Sequence, residues 1–487
     1  MPLILPGNVA SATAAAYEVA NSCRFDDGDS PKMVKQVGTP SSQQTFTLST
    51  WFKLGNVTTG ANRVLFCFDQ DSNDLLTLYL HSTKSQLALY SEVAGSAPFY
   101  QLSNALIRDP SAWYHVAAII DGTDGTQADR LKIYLNGTRI TSWATDTQWS
   151  SVANIAALAS GNDIIVGAGQ VGSASIALHW EGYLAETIYL DGTAAAIGDL
   201  GEFDSDSPTI WKPKDVSGLT FGNNGFYCDY EASANLGNDA NGGTDLTETN
   251  LAAVDQATDT PTNNFCTLNP ISLQPTNTPT LAQGNCRFSG TAAGEYGVIG
   301  TMGVSSGKWY FEMKKVSQDS GPDDDSQRNV FGITAKPHGI LAGKYTDPES
   351  WMLLGNSVIS NNNVEIASVG ASMLSDGGIL QCALDLDNNR VAFGHDNAWQ
   401  TGSSAFSGSY SDYESITAAA STISGFYFPV IGDNSGSRGY TMDANFGGCP
   451  AMTIASAAAD ENGYGAFEFA PPSGFLALCT KNLAEEG

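Results

Sequence analysis

Apolar residues recur at every second position along most of the chain, which is the period of a β-strand and not of a helix. In the run at 131–135, Leu131, Ile133 and Leu135 share one face. The Asn136-Gly137 pair that follows suits the positive φ angles of a type I′ hairpin turn. Similar short runs follow one another at the spacing of a β-sandwich.

These runs form two stretches, separated by a segment rich in Gly, Asn, Thr and Pro that lacks the strand period. We therefore predict an all-β protein with two antiparallel jelly-roll sandwiches in series. The predicted parts are an N-terminal arm at 1–20, a first sandwich at 21–203, a connector at 204–285, a second sandwich at 286–449, and a segment at 450–487 that completes or packs on the second sandwich.

The chain of 487 residues is strongly acidic, with 22 Lys and Arg against 51 Asp and Glu, a net charge of -29. Such a chain has no basic stripe to neutralise phosphates, so we expect neither nucleic acid nor an anionic membrane surface as a partner. No run approaches the roughly 20 apolar residues of a membrane span, and the first residues do not resemble a secretion signal. We expect no membrane insertion.

Eight cysteines are scattered along the chain without a CxxC motif or a Cys/His spacing that suits zinc. This pattern predicts buried or free thiols. Cys266 and Cys286 flank a Pro/Thr-rich loop and are the pair that we would test first for a disulfide.

The first stretch carries a set of phrases such as Ala112-Trp113-Tyr114-His115-Val116. The full set lies at 20–30, 46–52, 112–116, 128–137 and 181–186. It resembles the laminin-G-like, concanavalin-type domains in structural proteins of tailed bacteriophages, marine ones especially. The phrases at 201–204, 210–213, 222–227 and 260–265 resemble the connector that follows this domain in such phage proteins.

The second stretch contains Ser306-Gly307-Lys308-Trp309-Tyr310-Phe311-Glu312 and the pair Gly332-Ile333. With the phrases at 384–387 and 428–430, it is similar to a SPRY domain, which is another two-sheet sandwich. The closing phrase at 471–478 also resembles phage SPRY chains.

The resemblance implies a non-enzymatic virion protein, made in the host cytoplasm and located in the virion. It indicates a tail or fibre-type adhesin that attaches to host surface polysaccharide and contacts other virion subunits. The alternative is a head decoration or adaptor protein with a purely structural role. We expect a homo-oligomer, with a trimer as the state of a fibre-like part.

A glycoside hydrolase is a further alternative, because laminarinase-type glycosidases share the concanavalin-type fold. Such enzymes need two carboxylates that project from one strand into a cleft. The nearest pair here is Glu181 and Glu186, whose spacing of five places them on opposite faces of a strand. The acid motif Glu-x-Asp-x-x-Glu is missing from the sequence, so we expect no catalytic residues, and we interpret His115 as a core histidine.

Acidic loops raise the question of calcium, which prefers clustered carboxylates and carbonyls. The weak calcium candidates are Asp69, Asp71, Asp121 and Asp124. Laminin-G-like domains often hold calcium at a loop rim, but these residues could also be solvated acidic loops. No other cofactor is expected.

Carbohydrate recognition uses exposed aromatic faces with nearby hydrogen-bonding groups. Trp143 and Trp149 lie in a polar segment after a hairpin, and Trp399 lies in a comparable segment of the second stretch. We predict these three tryptophans as ligand-binding residues, with packing or a subunit contact as the alternative. Another three, Trp51, Trp113 and Trp309, alternate with apolar neighbours and are predicted to be in the core.

Overall fold

A computed structural model describes most of the chain. The described residues are 17–55, 60–71, 73–150, 152–171, 176–273, 279–290, 296–318, 329–336, 347–369, 374–400, 413–433, 439–448 and 451–487. They fall into two compact units, 17–262 and 263–487. Both units are built almost entirely of antiparallel strands, which confirms the predicted all-β sandwich fold. Most of the predicted arm, 1–16, lies outside the described residues.

The first unit contains twenty strands and one short α-helix among its described residues. The strands are β1 (Ser22–Phe25), β2 (Lys32–Gln36), β3 (Thr45–Leu54), β4 (Arg63–Asp71), β5 (Asp74–His81), β6 (Gln86–Val93), β7 (Ser96–Leu106), β8 (Trp113–Asp121), β9 (Leu131–Leu135), β10 (Thr138–Arg139), β11 (Trp143–Thr147), β12 (Asp163–Val166), β13 (Ala168–Gly169), β14 (Leu178–His179), β15 (Gly182–Asp191), β16 (Gly201–Phe203), β17 (Trp211–Pro213), β18 (Phe226–Cys228), β19 (Thr247–Thr249) and β20 (Gln256–Ala257), and the helix is α1 (Ile197–Leu200).

Two large sheets form the sandwich of this unit. Sheet A has the order β10-β9-β8-β3-β15-β1-β20, with β18 also paired to β15. Sheet B has the order β11-β7-β6-β5-β4-β12-β2-β19. The core between the sheets contains Leu48 and Phe52 from β3 and Leu78 and Leu89 from β5 and β6, all fully buried. Burying each such side chain contributes about 1.5–3 kcal/mol.

The predicted hairpin at Asn136-Gly137 is confirmed. Asn136 and Gly137 have φ angles of 47° and 72°, and Thr138 pairs with Leu135. A Cβ atom on Gly137 would lie 2.2 Å from the Trp211 ring, so the turn also requires glycine for packing.

The structure differs from the prediction of a connector at 204–285. Within this range, β18 pairs with β15, β19 pairs with β2, and β20 pairs with β1, so residues 204–262 belong to the first unit. Residues 263–285 belong to the second unit. The added strands have only two or three residues each, which is too short to show a period of two in the sequence.

The second unit contains fifteen strands and one α-helix among its described residues. The strands are β21 (Thr280–Ala282), β22 (Arg287–Ser289), β23 (Tyr296–Ile299), β24 (Lys308–Gln318), β25 (Asn329–Thr334), β26 (Ser350–Leu354), β27 (Val358–Asn361), β28 (Val364–Ser368), β29 (Ile379–Asp385), β30 (Arg390–His395), β31 (Ala398–Trp399), β32 (Glu414–Ser415), β33 (Phe428–Asp433), β34 (Tyr440–Asn445) and β35 (Leu476–Ala477), and the helix is α2 (Thr480–Glu486).

Two sheets again enclose a core. Sheet C has the order β21-β22-β34-β24-β29-β30-β31, and sheet D has the order β23-β33-β25-β26-β27-β28. Trp309 and Leu384 from sheet C pack in one cluster with Phe331 and Leu353 from sheet D.

The C-terminal segment packs on the second sandwich. Strand β35 pairs in parallel with β24, and the buried carboxylate of Glu312 on β24 accepts hydrogen bonds from the backbone N–H groups of Glu468 and Phe469. These contacts attach the segment to the middle of sheet C.

The seven described cysteines are all buried, and no two of them are joined by a disulfide, which confirms the prediction of buried or free thiols for these residues. Cys266 and Cys286 therefore form no disulfide with each other. Cys449 lies outside the described residues. No helix among the described residues combines the length and apolar character needed to span a bilayer.

Candidate functional site

Three tyrosines lie together on the outer face of sheet B. In β5, the residues Leu76, Leu78 and Leu80 face the core, so Tyr79 faces the opposite side. Tyr90 on β6 and Tyr100 on β7 are directly paired and therefore share a face. Their ring centroids lie 5.5 Å apart with an interplanar angle of 89°.

Polar groups surround these rings. The Tyr90 hydroxyl donates to Glu92 Oε2 at 2.8 Å, and the phenol of Tyr100 is close enough to that of Tyr79 to help raise its pKa. Thr147 on the edge strand β11 pairs with Tyr100 and is exposed. We call Tyr79, Tyr90, Tyr100, Glu92 and Thr147 the tyrosine patch.

The tyrosine patch offers apolar rings and uncharged hydroxyls together. Tyr90 and Tyr100 are half-buried, whereas Tyr79 is 2% exposed and belongs to the buried cluster against which they pack. Burial, followed by the hydrogen bond to Glu92, raises the pKa of Tyr90 to about 12. Burial also raises the pKa of Tyr79, so both phenols stay protonated at neutral pH.

The segment that contains β13 and β14 also packs on this outer face. Its Ala168 packs in one cluster with Val64, Cys67 and Ile165 of sheet B. Gln170 Nε2 donates to Asp69 Oδ1 at 2.5 Å. Tyr90 and Tyr100 pack against the same cluster and remain half-buried among the described residues.

The three predicted tryptophans do not form a site. Trp149 is 1% exposed and packs on Phe99 with ring centroids 5.3 Å apart, so the prediction that it is exposed is wrong. The polar residues beside Trp149 in the sequence gave no sign of this burial. The indole packs so closely on Gly122 that a Cβ atom there would lie 2.8 Å from the ring. Trp399 is also buried, at 5% exposed, near Tyr310.

Trp143 is half-buried on β11 and packs against the core of the first unit. None of the three indoles therefore presents a free face of the kind that stacks on a sugar. The three tryptophans predicted to be in the core are confirmed there, since Trp51, Trp113 and Trp309 are 4%, 9% and 0% exposed.

The four aspartates predicted as weak calcium ligands do not converge. Asp69 accepts from Gln170, and burial raises its pKa. Asp71, Asp121 and Asp124 each accept a backbone N–H within three residues, from Asn73, Thr123 and Thr126 respectively. These carboxylates cap turns of their own loops.

A different set of carboxylates does converge. Among the described residues, Asp26, Asp27 and Glu181 form the one group of three whose candidate ligand atoms lie within 4.8 Å of one another. We call these residues the acidic cluster. Asp26 caps the 3-10 helix Asp27–Asp29 between β1 and β2, and Glu181 directly precedes β15.

Glu181 occupies an unusual position for a carboxylate. It is 2% exposed, and its Oε2 accepts from the backbone N–H of Asp27 at 2.9 Å. Its Oε1 is buried and has no hydrogen-bond partner. Burial, followed by the charge of Asp26, raises the pKa of Glu181 well above its usual range.

Glu186, the other carboxylate considered for a glycosidase pair, has separate partners. It lies at a β-bulge in β15, with a φ of 50°, and accepts from the hydroxyls of Tyr17 at 2.9 Å and Tyr227 at 2.8 Å. Burial raises the pKa of Glu186 to about 7. The two glutamates share no contact, so their arrangement does not favour acid–base hydrolysis of a glycoside.

His115 is confirmed as a satisfied core histidine. Its Nδ1 accepts from Trp211 Nε1 at 3.1 Å, so its Nε2 carries the proton and donates to Ser49 Oγ at 2.8 Å. Burial lowers the pKa of His115 to about 3, so the ring is neutral.

Part of the first unit matches a known family of protein domains. Residues 27–187 match the Laminin_G_3 family, described as the concanavalin A-like lectin/glucanases superfamily. The match covers a third of the chain and includes the whole tyrosine patch. It also includes Asp27 and Glu181.

Two solved structures show weaker likeness. The SPRY domain of human HERC1 is 14% identical, with a TM-score of 0.28, and the match covers 38% of this chain and 99% of that domain. The native heptameric SAP-like pentraxin from Limulus polyphemus is 19% identical, with a TM-score of 0.27, and the match covers 37% of this chain and 81% of the pentraxin. A search of curated proteins finds no match.

The sequence did contain a signal for the tyrosine patch. In β6, Leu87 and Leu89 alternate with Ala88 and Tyr90, which places Tyr90 on the face opposite the core. The partnership with Tyr100 and Tyr79 depends on strand order and register, which the pattern alone does not determine.

Proposed function

We propose that the first unit binds carbohydrate through the tyrosine patch. The observation that carries this proposal is the pairing of the half-buried Tyr90 and Tyr100 on the outer face of sheet B, within the range that matches the concanavalin A-like lectin/glucanases family. Aromatic rings pack on the C–H faces of sugars, while hydroxyls and carboxylates bond the sugar hydroxyls. Glu92 and Thr147 supply such groups beside the rings.

The proposed activity is binding without catalysis. Glu181 is buried beside Asp27, and Glu186 is occupied by Tyr17 and Tyr227, so neither supports a cleft with two opposed acids. The tyrosine patch contains one carboxylate, Glu92, and its hydrogen bond to Tyr90 suits recognition.

We further propose that the protein is a virion component, a tail or fibre-type adhesin that attaches to surface glycans of the host. The support is the resemblance of both sandwiches, and of the phrases between them, to tailed-phage structural proteins. In this proposal the partners are host polysaccharide and other virion subunits, and the assembly is a homo-oligomer such as a trimer. Light scattering of the full chain tests the oligomer, and a monomer in solution would contradict it.

A glycan array tests the binding proposal with the full-length protein and three variants. We expect reproducible hits for the unchanged protein and loss of at least about tenfold in signal for Tyr90→Ala and Tyr100→Ala, because each removes a stacking ring. Tyr134→Ala is the matched control, since Tyr134 is a half-buried tyrosine on sheet A of the same unit. It should keep the hits.

Two results would contradict the proposal in different ways. If the unchanged protein bound no glycan on a broad array, the result would count against carbohydrate binding. It would favour the structural alternative, a decoration or adaptor protein. Hits that persist in Tyr90→Ala and Tyr100→Ala would keep the activity but place it away from the tyrosine patch.

A further inference from the structure

We propose that Tyr17, Glu186 and Tyr227 form a pH-sensitive clasp, which holds the end of the N-terminal arm while the Glu186 carboxyl carries a proton and releases Tyr17 when that proton is lost. The described residues begin at Tyr17, whereas Glu186 and Tyr227 lie on β15 and β18 of sheet A. They follow Tyr17 by 169 and 210 positions. This inference does not depend on the carbohydrate proposal.

The short contacts in the clasp need more hydrogens than the two phenols supply. The Tyr17 hydroxyl oxygen lies 2.9 Å from Glu186 Oε2 and 2.9 Å from the Tyr227 hydroxyl oxygen. The Tyr227 oxygen lies 2.9 Å from Oε1 and 2.8 Å from Oε2 of Glu186. These are the lengths of O–H···O hydrogen bonds. If Glu186 were ionised, both phenols would donate to it, and no hydrogen would remain between the two phenol oxygens.

A proton on Glu186 completes the set of hydrogen bonds. The carboxyl O–H at Oε1 donates to Tyr227, the Tyr227 hydroxyl donates to Tyr17, and the Tyr17 hydroxyl donates to Oε2. The reverse direction satisfies the same distances. Each group in this ring donates once and accepts once, and linked hydrogen bonds of this kind strengthen one another. Loss of the proton leaves the two phenol oxygens 2.9 Å apart without a hydrogen between them, so the contact between Tyr17 and Tyr227 breaks.

The surroundings of Glu186 favour its neutral form. The side chain is 3% exposed, and burial is the main cause that raises its pKa to about 7. The charges of Asp229 and Glu231 also raise the pKa of Glu186, and the charge of Asp215 raises the pKa of Tyr17. Burial, followed by the charge of Glu186, raises the pKa of both phenols, which therefore stay protonated. Glu186 is the member of the clasp that titrates near neutral pH.

The backbone after Tyr17 allows a local release. Val19 is held independently, because its N–H donates to Thr262 Oγ1 at 3.0 Å and its C=O accepts from the same hydroxyl at 3.2 Å. Val19 is buried, whereas Glu18 is exposed. Release of Tyr17 can therefore stop at Glu18 and leave the sheets of the first unit intact.

Cleavage of the full chain by chymotrypsin after Tyr17 measures the release, with mass spectrometry of the product that begins at Glu18. A protease cuts in proportion to the open population when opening and closing are fast. Glu186→Gln is the matched control, because its amide donates and accepts as the protonated acid does and does not titrate. Relative to this variant at the same pH, the unchanged protein should be cut equally at pH 5.5 and at least about fivefold faster at pH 8.5.

The comparison at one pH also cancels the pH dependence of the protease itself. Tyr17→Phe provides the open reference, since it keeps the cleavage point and removes both hydrogen bonds of this side chain. This variant should be cut faster than the unchanged protein at pH 5.5. Infrared difference spectra between the unchanged protein and Glu186→Gln should show a protonated carboxyl at pH 5.5 that is absent at pH 8.5.

Three results would overturn the proposal. The first is a cleavage rate that keeps the same ratio to that of Glu186→Gln at both pH values. The second is a Tyr17→Phe variant that is cut no faster than the unchanged protein at pH 5.5. The third is an infrared difference spectrum without a protonated carboxyl at pH 5.5, which would show that Glu186 is ionised in the closed clasp.

Discussion

Lys53 Nζ donates to Asp259 Oδ2 across 2.6 Å, and both side chains are at most 1% exposed. The two residues lie 206 positions apart. Trp113 Nε1 donates to the other oxygen, Asp259 Oδ1, at 2.9 Å. This buried ion pair therefore attaches the end of the first unit to strands β3 and β8 in the middle of sheet A.

Asp259→Ala should destabilise the first unit by about 3–5 kcal/mol, because it leaves the Lys53 ammonium buried without its partner. The loss of stability is measured by urea unfolding of the full chain, monitored with a signal that reports on the first unit. The exposed Asp206 is the control, and Asp206→Asn should stay within about 0.5 kcal/mol of the unchanged protein. A loss below about 1 kcal/mol for Asp259→Ala would show that the buried pair does not form.

Trp149→Ala should destabilise the first unit by roughly 3–5 kcal/mol, since it removes a buried indole and leaves a cavity beside Phe99. Trp143→Ala should cost less, because Trp143 is already half-buried at the sheet edge. Differential scanning calorimetry of the two variants measures and compares their losses of stability. If Trp149→Ala melts like the unchanged protein, the indole is exposed and its role in ligand binding has to be reconsidered.

Glu186 should make the first unit less stable as the pH rises. Its folded pKa of about 7 lies above the unfolded value near 4.5, so the folded state binds more protons between these pH values. Stability is therefore greatest below about pH 4.5 for this group and falls until about pH 7, by roughly 3 kcal/mol. The neighbouring charges of Asp229 and Glu231 act in the same direction as burial, whereas the hydroxyls of Tyr227 and Tyr17 oppose it.

The measurement is urea unfolding of the unchanged protein and Glu186→Gln at pH 5 and pH 8, in EDTA. The difference between the two proteins isolates this carboxyl from the general effect of the chain's negative charge. The variant should lose less stability between the two pH values than the unchanged protein. Equal losses would show that Glu186 is ionised normally in the folded state.

The sequence predicted the fold well wherever a strand is long and buries one of its two faces. The alternation in 131–135 predicted both the strand and its turn. The same alternation is present in β29, where Leu380, Cys382 and Leu384 lie in the core. Strands of two or three residues, such as β18 and β20, leave no period to detect, so the range at 204–262 was interpreted as a connector. Their pairing depends on partners far along the chain.

The site was predicted less well, because a polar neighbourhood in the sequence does not determine the direction of a side chain. Trp149 has polar neighbours and a buried ring. Tyr90 alternates with leucines and lies half-buried on the outer face of sheet B. Glu181 and Asp27 meet only after β1 pairs with β15, so the acidic cluster could not be recognised before the strand order was known.

The pairing of β1 has a consequence for the order in which the first unit can fold during synthesis. Both neighbours of this first strand, β15 and β20, are made late, and Ser22 Oγ reaches its acceptor on Asp259 across 237 positions. Folds dominated by such distant contacts form slowly, since loop-closure entropy is lost before the contacts are gained. While the chain is being synthesised, Lys53 therefore lacks its counter-charge until residue 259 has been added, and the sheet can be completed only when the last segment of the unit is available.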